Sequence, residues 1–255
     1  MLPRLSVLVV SLVASSFAVT EEARPFDDPW TLTRDIEIKS KWPVGARGFG
    51  EDKVTADLYR PKVEGRVPVA VIINSSGGVQ PHTEINYARV LARNGMAALV
   101  VDSFGPRGVK RTGDDQTRVF QSKSDSDAIG AWRWLAVQPW VDQSRVIVMG
   151  MSRGGEAAIA AALTALRERR GASDAKFTAH IAITTGGCNL PRRNVRTTGA
   201  PIFFMLAELD DGTPALPCLD LIRRMQAAGN RNVRFAVYPG VYHAYEWTGG
   251  GSDRK

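Results

Sequence analysis

Residues 145–163 have the sequence RVIVMGMSRGGEAAIAAAL, in which an apolar run passes into a helix-favouring run through the pattern G-x-S-x-G. This order predicts a strand, a sharp turn that carries Ser152, and a helix, which together are the setting of a nucleophile elbow. The small residues Gly150 and Gly154 would let strand and helix approach closely, and the backbone of Ser152 would be strained. Its hydroxyl would then lie at the helix N-terminus, where amide groups and the helix dipole stabilise an oxyanion. The alternative is a turn that only packs a strand against a helix.

The bulk composition is that of a globular protein with a real core. The chain has 255 residues, of which 44% are hydrophobic and 23% charged, and this size suits one α/β domain or two small ones. Its formal net charge is +7, but the Arg and Lys residues are scattered along the chain. A solvated basic surface is therefore favoured over a nucleic-acid partner, for which the sequence shows no helix-turn-helix or RNA-binding signature.

The first 18 residues have the features of a secretory signal peptide. Arg4 supplies a positive charge before an apolar stretch at 5–13, and mostly small residues at 14–18 predict cleavage after Ala18. The apolar stretch is too short for a comfortable membrane span, although an uncleaved anchor is the alternative. In either case the rest of the chain is expected outside the cytosol. If the segment is cleaved, the mature protein is expected to be secreted or periplasmic, with no stable membrane span.

Downstream, residues 19–40 are predicted to form an N-terminal extension, residues 41–248 an α/β domain and residues 249–255 a flexible tail. Two alternating segments, at 35–40 and 54–60, indicate an exposed antiparallel edge. Beyond them, fully apolar runs alternate with segments of helical spacing, which predicts a mostly parallel central sheet with helices on both faces. The helices are predicted at 83–94, 122–137, 155–170 and 215–228.

A serine hydroxyl becomes an effective nucleophile when a neighbouring base takes its proton. In hydrolases with this elbow, the acid and then the histidine follow the serine along the chain. His243 fits the base, because it lies in the loop after an apolar strand at 233–238, where ligands bind in open α/β sheets. His180 begins an apolar strand, which favours a structural role. His82 lies near the first strand-to-helix loop and is predicted to contact substrate, with a plain surface position as the alternative.

The acid is expected at the end of the strand predicted over 201–207, which leads into Glu208-Leu209-Asp210-Asp211-Gly212. Neighbouring side chains at a strand end point in different directions, so only one of the two aspartates can hold the imidazole. Asp210 is favoured and Asp211 is the alternative, and the unused aspartate would take a turn or capping role. The acid would fix the histidine tautomer and stabilise its positive form.

An oxyanion hole needs two backbone N–H donors, and the first is predicted to be the amide of Arg153, directly after the nucleophile. The second is expected in Asn74-Ser75-Ser76-Gly77-Gly78, where the glycines allow close approach to a substrate carbonyl, and Ser76 is favoured. An ordinary glycine-rich turn is the alternative. The sequence has no P-loop lysine, no dinucleotide fingerprint and no ligand spacing among its cysteines and histidines, so neither a cofactor nor a metal is predicted.

Beyond the elbow, several segments of the chain resemble the dienelactone hydrolase family, over a region from about residue 50 to about residue 247. The resemblance implies an α/β-hydrolase fold and places Ser152, Asp210 and His243 at the triad positions. The chain has serine where family members that cleave dienelactones typically have cysteine, which favours general ester hydrolysis over lactone cleavage. The segments that carry the resemblance are 101–108, 134–142, 148–155, 210–214 and 238–244.

The resemblance also concerns the two cysteines and the substrate pocket. Similar exported proteins have one cysteine after the strand that follows the elbow helix and another in the helix after the acid, and Cys188 and Cys218 match this arrangement. A disulfide between them is therefore implied, in keeping with an oxidising compartment. Substrate contacts are predicted at Arg107 and Tyr245 in addition to His82.

Together these features predict an exported serine hydrolase that cleaves small carboxylic esters, with lactones as a further class, through an acyl-enzyme. Its partner would be a small-molecule ester. A prolyl-oligopeptidase-like peptidase shares the elbow and the triad order, although the chain has no room for the large extra domain that such enzymes usually carry. A non-catalytic binding protein that retains the fold is the other alternative.

Overall fold

A computed structural model describes residues 28–43, 49–189 and 194–244. Within them, the apolar runs form one mixed sheet of eight strands in the order β1-β2-β4-β3-β5-β6-β7-β8. The strands are β1 (Trp30–Pro43), β2 (Phe49–Pro61), β3 (Val67–Ile73), β4 (Ala97–Asp102), β5 (Val141–Met151), β6 (Ala179–Ile183), β7 (Ile202–Ala207) and β8 (Val233–Tyr238). The helices are α1 (Glu84–Arg93), α2 (Gln121–Ala136), α3 (Arg153–Ala162), α4 (Thr164–Arg169) and α5 (Ala215–Ala227).

The strands β3 to β8 run parallel to one another, and β2 pairs with both β4 and β1 in antiparallel fashion. Nearly every residue of β3 is buried, which is typical of a parallel strand that is covered on both faces. The predicted mostly parallel sheet is therefore confirmed.

Side-chain alternation along β3 assigns the helices to the two faces of the sheet. Val69, Val71 and Ile73 belong to a core cluster shared with α2 and α3, whereas Ala70 and Ile72 pack with residues of α1 on the opposite face. Helix α5 covers the far end of the sheet on the α3 side. The helices thus lie on both faces as predicted, and the carboxyl ends of the parallel strands form one rim, where α/β sheets bind their ligands.

The first strand begins earlier than its sequence pattern indicates. β1 begins at Trp30 and pairs with β2 along its length, apart from one register shift near Asp35. The irregularity includes Asp35, whose backbone has φ 54°, and the polar residues Arg34 and Asp35 interrupt the run of apolar positions that marks a strand in the sequence. The predicted boundary at residue 41 therefore falls inside β1, and residues 30–40 belong to the sheet of the α/β domain.

The predicted signal peptide, residues 1–18, and the predicted tail, residues 249–255, lie outside the described residues. None of the helices in the described segments combines the length and the hydrophobicity needed to cross a bilayer.

The helix predicted over 155–170 is divided into α3 and α4. The residue between them, Leu163, has an extended backbone with φ −78° and ψ 117° and forms a bridge with Thr197. Tertiary pairing here overrides the helix propensity of the segment. Farther along the chain, Cys188 after β6 and Cys218 in α5 form a disulfide with a Cα–Cα distance of 4.8 Å, as the resemblance implied.

Candidate active site

Ser152 stands between the end of β5 and the start of α3, in the strained backbone conformation that the elbow predicts. Its φ is 52° and its ψ is −114°, a combination that costs about 1–3 kcal/mol in a residue with a side chain. Three hydrogen bonds hold it there: the Ser152 amide donates to the Ile183 carbonyl at 2.8 Å, and the Ser152 carbonyl accepts from Glu156 and Gly186 at 3.1 and 3.0 Å. The surrounding structure therefore fixes the serine in place.

The glycines on either side of Ser152 are required by sterics. A Cβ atom on Gly150 would lie 2.4 Å from the carbonyl carbon of Gly154, and a Cβ on Gly154 would lie 2.1 Å from the carbonyl oxygen of Ile73. A Cβ on Gly155 would come within 2.8 Å of the Thr185 side chain. The close approach of strand and helix that the sequence indicates is thus present, and it leaves no space for larger residues.

His243 and Asp210 come together from the loops after β8 and β7. The Nδ1 atom of His243 lies 3.0 and 3.1 Å from the two carboxylate oxygens of Asp210, whose side chain is fully buried. Asp210 also accepts hydrogen bonds from the amides of Gly212 and Thr213. Of the two aspartates considered, Asp210 is therefore the one that contacts the imidazole, and Asp211 is exposed.

The environment of Asp210 keeps its carboxyl group ionised. Burial by itself raises the pKa of this carboxyl, but hydrogen bonds from His243 and Thr213 outweigh the burial and hold the pKa below its usual value. An ionised carboxylate accepts the Nδ1–H of His243 and fixes the tautomer whose Nε2 can accept a proton. His243 can therefore act as a base through Nε2.

Ser152 and His243 line the same two cavities, of about 620 and about 320 Å³. The larger cavity extends toward the segment before α2 and includes Gln116 and Phe120. The smaller one is bounded by the loop after β3 and includes His82, the residue for which a substrate contact is predicted. The serine and the histidine are thus both accessible from each of these two cavities.

The two predicted oxyanion donors also border this space. Arg153 is the first residue of α3, Ser76 lies in the turn after β3, and both line the larger cavity beside Ser152. Neither backbone N–H has an acceptor within the described part of the chain. Neither amide is therefore occupied by a bond within these residues, and a donor to a substrate oxyanion has to be free in this way.

The turn that carries Ser76 is held by a buried acid that sequence reasoning missed. One carboxylate oxygen of Glu84 accepts from the Ser75 amide at 2.9 Å, and the other accepts from the Gln80 amide at 2.9 Å. Glu84 is only 2% exposed although it stands at the start of α1. A carboxylate in the first turn of a helix looks like an ordinary dipole partner in the sequence, so nothing there distinguishes this role.

Arg107 does not line either cavity beside Ser152, in contrast to its predicted role as a substrate contact. Its side chain is 9% exposed, and its guanidinium binds Asp127 through two nitrogens at 2.7 and 2.9 Å and Asp52 through Nε at 2.8 Å. Burial lowers the pKa of this arginine, but the hydrogen bonds to Asp127 and Asp52 outweigh burial and raise the pKa above its usual value. Arg107 therefore joins β2 to α2 as a structural ion pair.

The remaining predicted contact, Tyr245, lies outside the described residues. Within residues 28–43, 49–189 and 194–244, no group of three or more His, Cys, Asp and Glu side chains is arranged to hold a metal ion.

The fold and this site define the chain as an α/β-hydrolase. The family model described as the dienelactone hydrolase family matches residues 54–253. The chain belongs to this family, as the sequence resemblance predicted, and it is a carboxylic ester hydrolase. A search of curated proteins finds no relative that matches the chain.

Solved structures with the same fold include esterases. Esterase 2 of Thermogutta terrifontis phosphonylated by sarin is 19% identical, with a TM-score of 0.60 over 78% of this chain and 84% of that one. Esterase Est22 is 17% identical, with a TM-score of 0.59 over 84% of this chain and 74% of that one. A Klebsiella pneumoniae protein described as a candidate dienelactone hydrolase is 18% identical, with a TM-score of 0.60 over 83% and 89%. At such identities the likeness establishes the fold, and the predicted α/β-hydrolase fold is confirmed.

Proposed function

We propose that the protein is a serine hydrolase that cleaves small carboxylic esters, with lactones as a further class, through an acyl-enzyme. One observation carries the proposal: the strained Ser152 shares its cavities with His243, whose Nδ1 is bonded to the buried carboxylate of Asp210. A nucleophile, a base and an orienting acid in this relation are the parts of a hydrolytic triad.

In the first half of the reaction, Ser152 Oγ attacks the ester carbonyl carbon while His243 Nε2 takes the hydroxyl proton. The carbonyl π electrons move to oxygen, and the amides of Arg153 and Ser76 stabilise the oxyanion. When the tetrahedral intermediate collapses, the bond to the alcohol oxygen breaks and His243 returns the proton to that oxygen. Asp210 stabilises the imidazolium that exists between these two proton transfers.

In the second half, a water molecule attacks the acyl-enzyme carbonyl and gives its proton to His243. The second tetrahedral intermediate collapses, the bond to Ser152 Oγ breaks, and His243 returns its proton to Oγ. The products are a carboxylic acid and the alcohol released earlier. The volumes of the two cavities, about 620 and 320 Å³, support an ester of modest size as the substrate.

Labelling by a fluorophosphonate probe tests the proposal directly, because the probe forms a P–O bond to an activated serine and expels fluoride. The structural neighbour from T. terrifontis is an esterase that sarin phosphonylates, which supports the choice of probe. We expect the protein to be labelled, and Ser152→Ala to abolish labelling and to lower ester hydrolysis by about 10⁴-fold or more. Ser144→Ala, an exposed serine elsewhere, is the matched control.

A panel of p-nitrophenyl esters of increasing chain length, a lactone and a prolyl peptide amide defines the substrate class. The peptidase alternative requires cleavage of the amide, and the binding-protein alternative requires that no substrate turns over and that no serine is labelled. Equal labelling of the wild type and Ser152→Ala would refute the proposed nucleophile.

We further propose that the protein is exported to the periplasm or the cell exterior. The signal-peptide pattern of residues 1–18 supports this, and the disulfide between Cys188 and Cys218 suits an oxidising compartment. Cell fractionation combined with N-terminal sequencing should find the mature chain outside the cytosol, beginning at Val19. A chain that stays in the cytosol with Met1 intact would refute export.

A further inference from the structure

The side chain of Arg153, the residue after the nucleophile, is buried. Arg153 is 5% exposed and lies across the ring of Phe104, with 5.4 Å from the guanidinium carbon to the ring centroid. Its Nε donates to Ser124 Oγ at 3.3 Å, its Nη2 donates to the carbonyl of Val119, and its Nη1 donates to Gln116 Oε1 at 2.8 Å. The guanidinium thus bonds to α2 through Ser124 and to the segment before α2 through Val119 and Gln116.

Gln116 in turn contacts the other predicted oxyanion donor. Its Nε2 donates to Ser76 Oγ at 3.1 Å, while its Oε1 accepts from Arg153. The main chain of the same segment adds a second tie, because the Thr112 amide donates to the Ser76 carbonyl at 2.8 Å. A continuous hydrogen-bonded path therefore joins Arg153 to Ser76 along the wall of the larger cavity, and we name this path, Arg153–Gln116–Ser76, the clasp.

The clasp connects two donors that the chain supplies from different elements. Arg153 is held by the elbow itself, whereas Ser76 lies in a loop whose flanks are fixed by Glu84 through Ser75 and Gln80. Among the described residues, the side-chain contacts that connect Ser76 to Arg153 are the two made by Gln116. Oxyanion donors accelerate a reaction to the extent that their geometry is set before charge develops.

We propose that Gln116 is a positioning residue that fixes Ser76 relative to Arg153, so that both amides meet the same oxyanion. This inference rests on the proposed function, because it takes these two amides as the donors. Gln116 touches no reacting atom in this role: it acts through Ser76, and Arg153 contributes both an amide donor and, through its side chain, the anchor for Gln116.

Gln116→Met tests the proposal, since methionine keeps the length of the side chain and removes its hydrogen bonds. We expect kcat for a p-nitrophenyl ester to fall by about 10- to 100-fold with little change in KM. A boronic acid that forms a tetrahedral adduct with Ser152 should bind more weakly by a similar factor. Gln138→Met is the matched control, because its Nε2 bonds only the Trp134 carbonyl at 3.1 Å, away from both cavities, and it should leave kcat unchanged.

A double-mutant cycle separates this role from a general loosening of the loop. Ser76→Ala removes the hydroxyl that Gln116 contacts and keeps the backbone amide. If Gln116 acts through Ser76, the effects of the two substitutions are coupled and do not add. The activity of the double variant should then be no lower than that of the less active single variant. Effects that multiply, or a Gln116→Met enzyme that changes only KM or nothing, would overturn the proposal.

The failure of this inference differs from the failure of the proposed function. An active, labelled wild type with a fully active Gln116→Met variant refutes the clasp alone. A wild type that neither labels nor hydrolyses any ester refutes the hydrolase proposal and, with it, the clasp. Thermal unfolding of each variant checks that it is folded, and Gln116 is exposed in the cavity, so we expect its replacement to keep the melting temperature of the wild type.

Discussion

His180, at the start of β6, should make the stability of this protein depend on pH. Its ring is 1% exposed, and Nδ1 donates to the Ala158 carbonyl at 3.0 Å, while Nε2 has no partner among the described residues. Burial lowers the pKa of this imidazole from 6.5 to about 4, against a smaller opposing effect of the bond to Ala158. The folded protein therefore keeps His180 neutral at pH values where the unfolded chain is protonated.

The sign and size of the effect follow from proton linkage. Because the folded pKa is depressed, the full stability is present above pH 6.5 and is lost as the pH falls toward 4. One pKa unit corresponds to about 1.4 kcal/mol, so the total loss is about 3 kcal/mol, and about 2 kcal/mol of it is already lost at pH 5. The part of the loss that occurs between pH 6.5 and pH 5 lies above the pH values at which most carboxylates titrate.

Urea unfolding of the wild type and of His180→Asn at pH 7, 6 and 5 measures the effect. The asparagine amide can replace the donor to Ala158 without titrating, and it leaves a small cavity that costs stability equally at every pH. The gap in unfolding free energy between the two proteins should therefore narrow by about 2 kcal/mol from pH 7 to pH 5. A gap that stays constant over this range would refute the argument that His180 is buried in its neutral form.

Three further variants have consequences that follow from the geometry. Gly154→Ala should destabilise the fold by about 3 kcal/mol or more and abolish hydrolysis, because its Cβ would lie 2.1 Å from a backbone oxygen; a soluble, active variant in thermal unfolding and ester assays would contradict this. Replacing Cys188 and Cys218 by alanine should cost about 3–4 kcal/mol, since the disulfide closes a loop with a sequence separation of 30, and urea titration with and without reductant measures it. Arg107→Met should cost about 3–5 kcal/mol, because it leaves the fully buried carboxylate of Asp127 unpaired. A folded Arg107→Met enzyme should keep its KM, whereas a raised KM with unchanged stability would restore the predicted role in substrate binding.

The elbow could be predicted from sequence because its causes are local. Steric exclusion at Gly150 and Gly154 and the change from a strand pattern to a helix pattern are all present within a few residues of Ser152. The positions of Asp210 and His243 follow from two simple facts, that parallel strands end at one rim and that loops there carry the ligand-binding residues. The order of the strands therefore brings Ser152, Asp210 and His243, which are far apart in the sequence, to one rim of the sheet.

The features that sequence reasoning missed depend on partners far along the chain. Arg107 lies in a loop and looks like a free cation, but Asp52 and Asp127 approach it from β2 and α2. The roles of Gln116 and Glu84 likewise depend on contacts with the loop after β3, which the structure places beside them. Charge pairing and polar contacts between distant segments leave no periodic pattern, so no local reading of the sequence can find them.

The beginning of β1 and the end of α3 were misplaced for a related reason. The polar residues Arg34 and Asp35 interrupt the apolar pattern, yet β1 continues through them with an irregularity at which Asp35 has a positive φ. At Leu163 a bridge to Thr197 ends a helix that its own sequence would continue. In both places the tertiary structure overrides the local preference of the chain.

The tight backbone packing at Gly150 and Gly154 has a practical consequence for directed evolution of this enzyme. A methyl group at position 150 would occupy the space of the backbone at 154, and one at position 154 would occupy the space of the Ile73 backbone, so no side-chain change elsewhere can make room for either. Randomised libraries that include these codons would consist largely of unfolded clones. Diversity is better placed at exposed cavity positions such as Phe120 and Thr117, where side chains can vary in size without disturbing the packing of strand against helix.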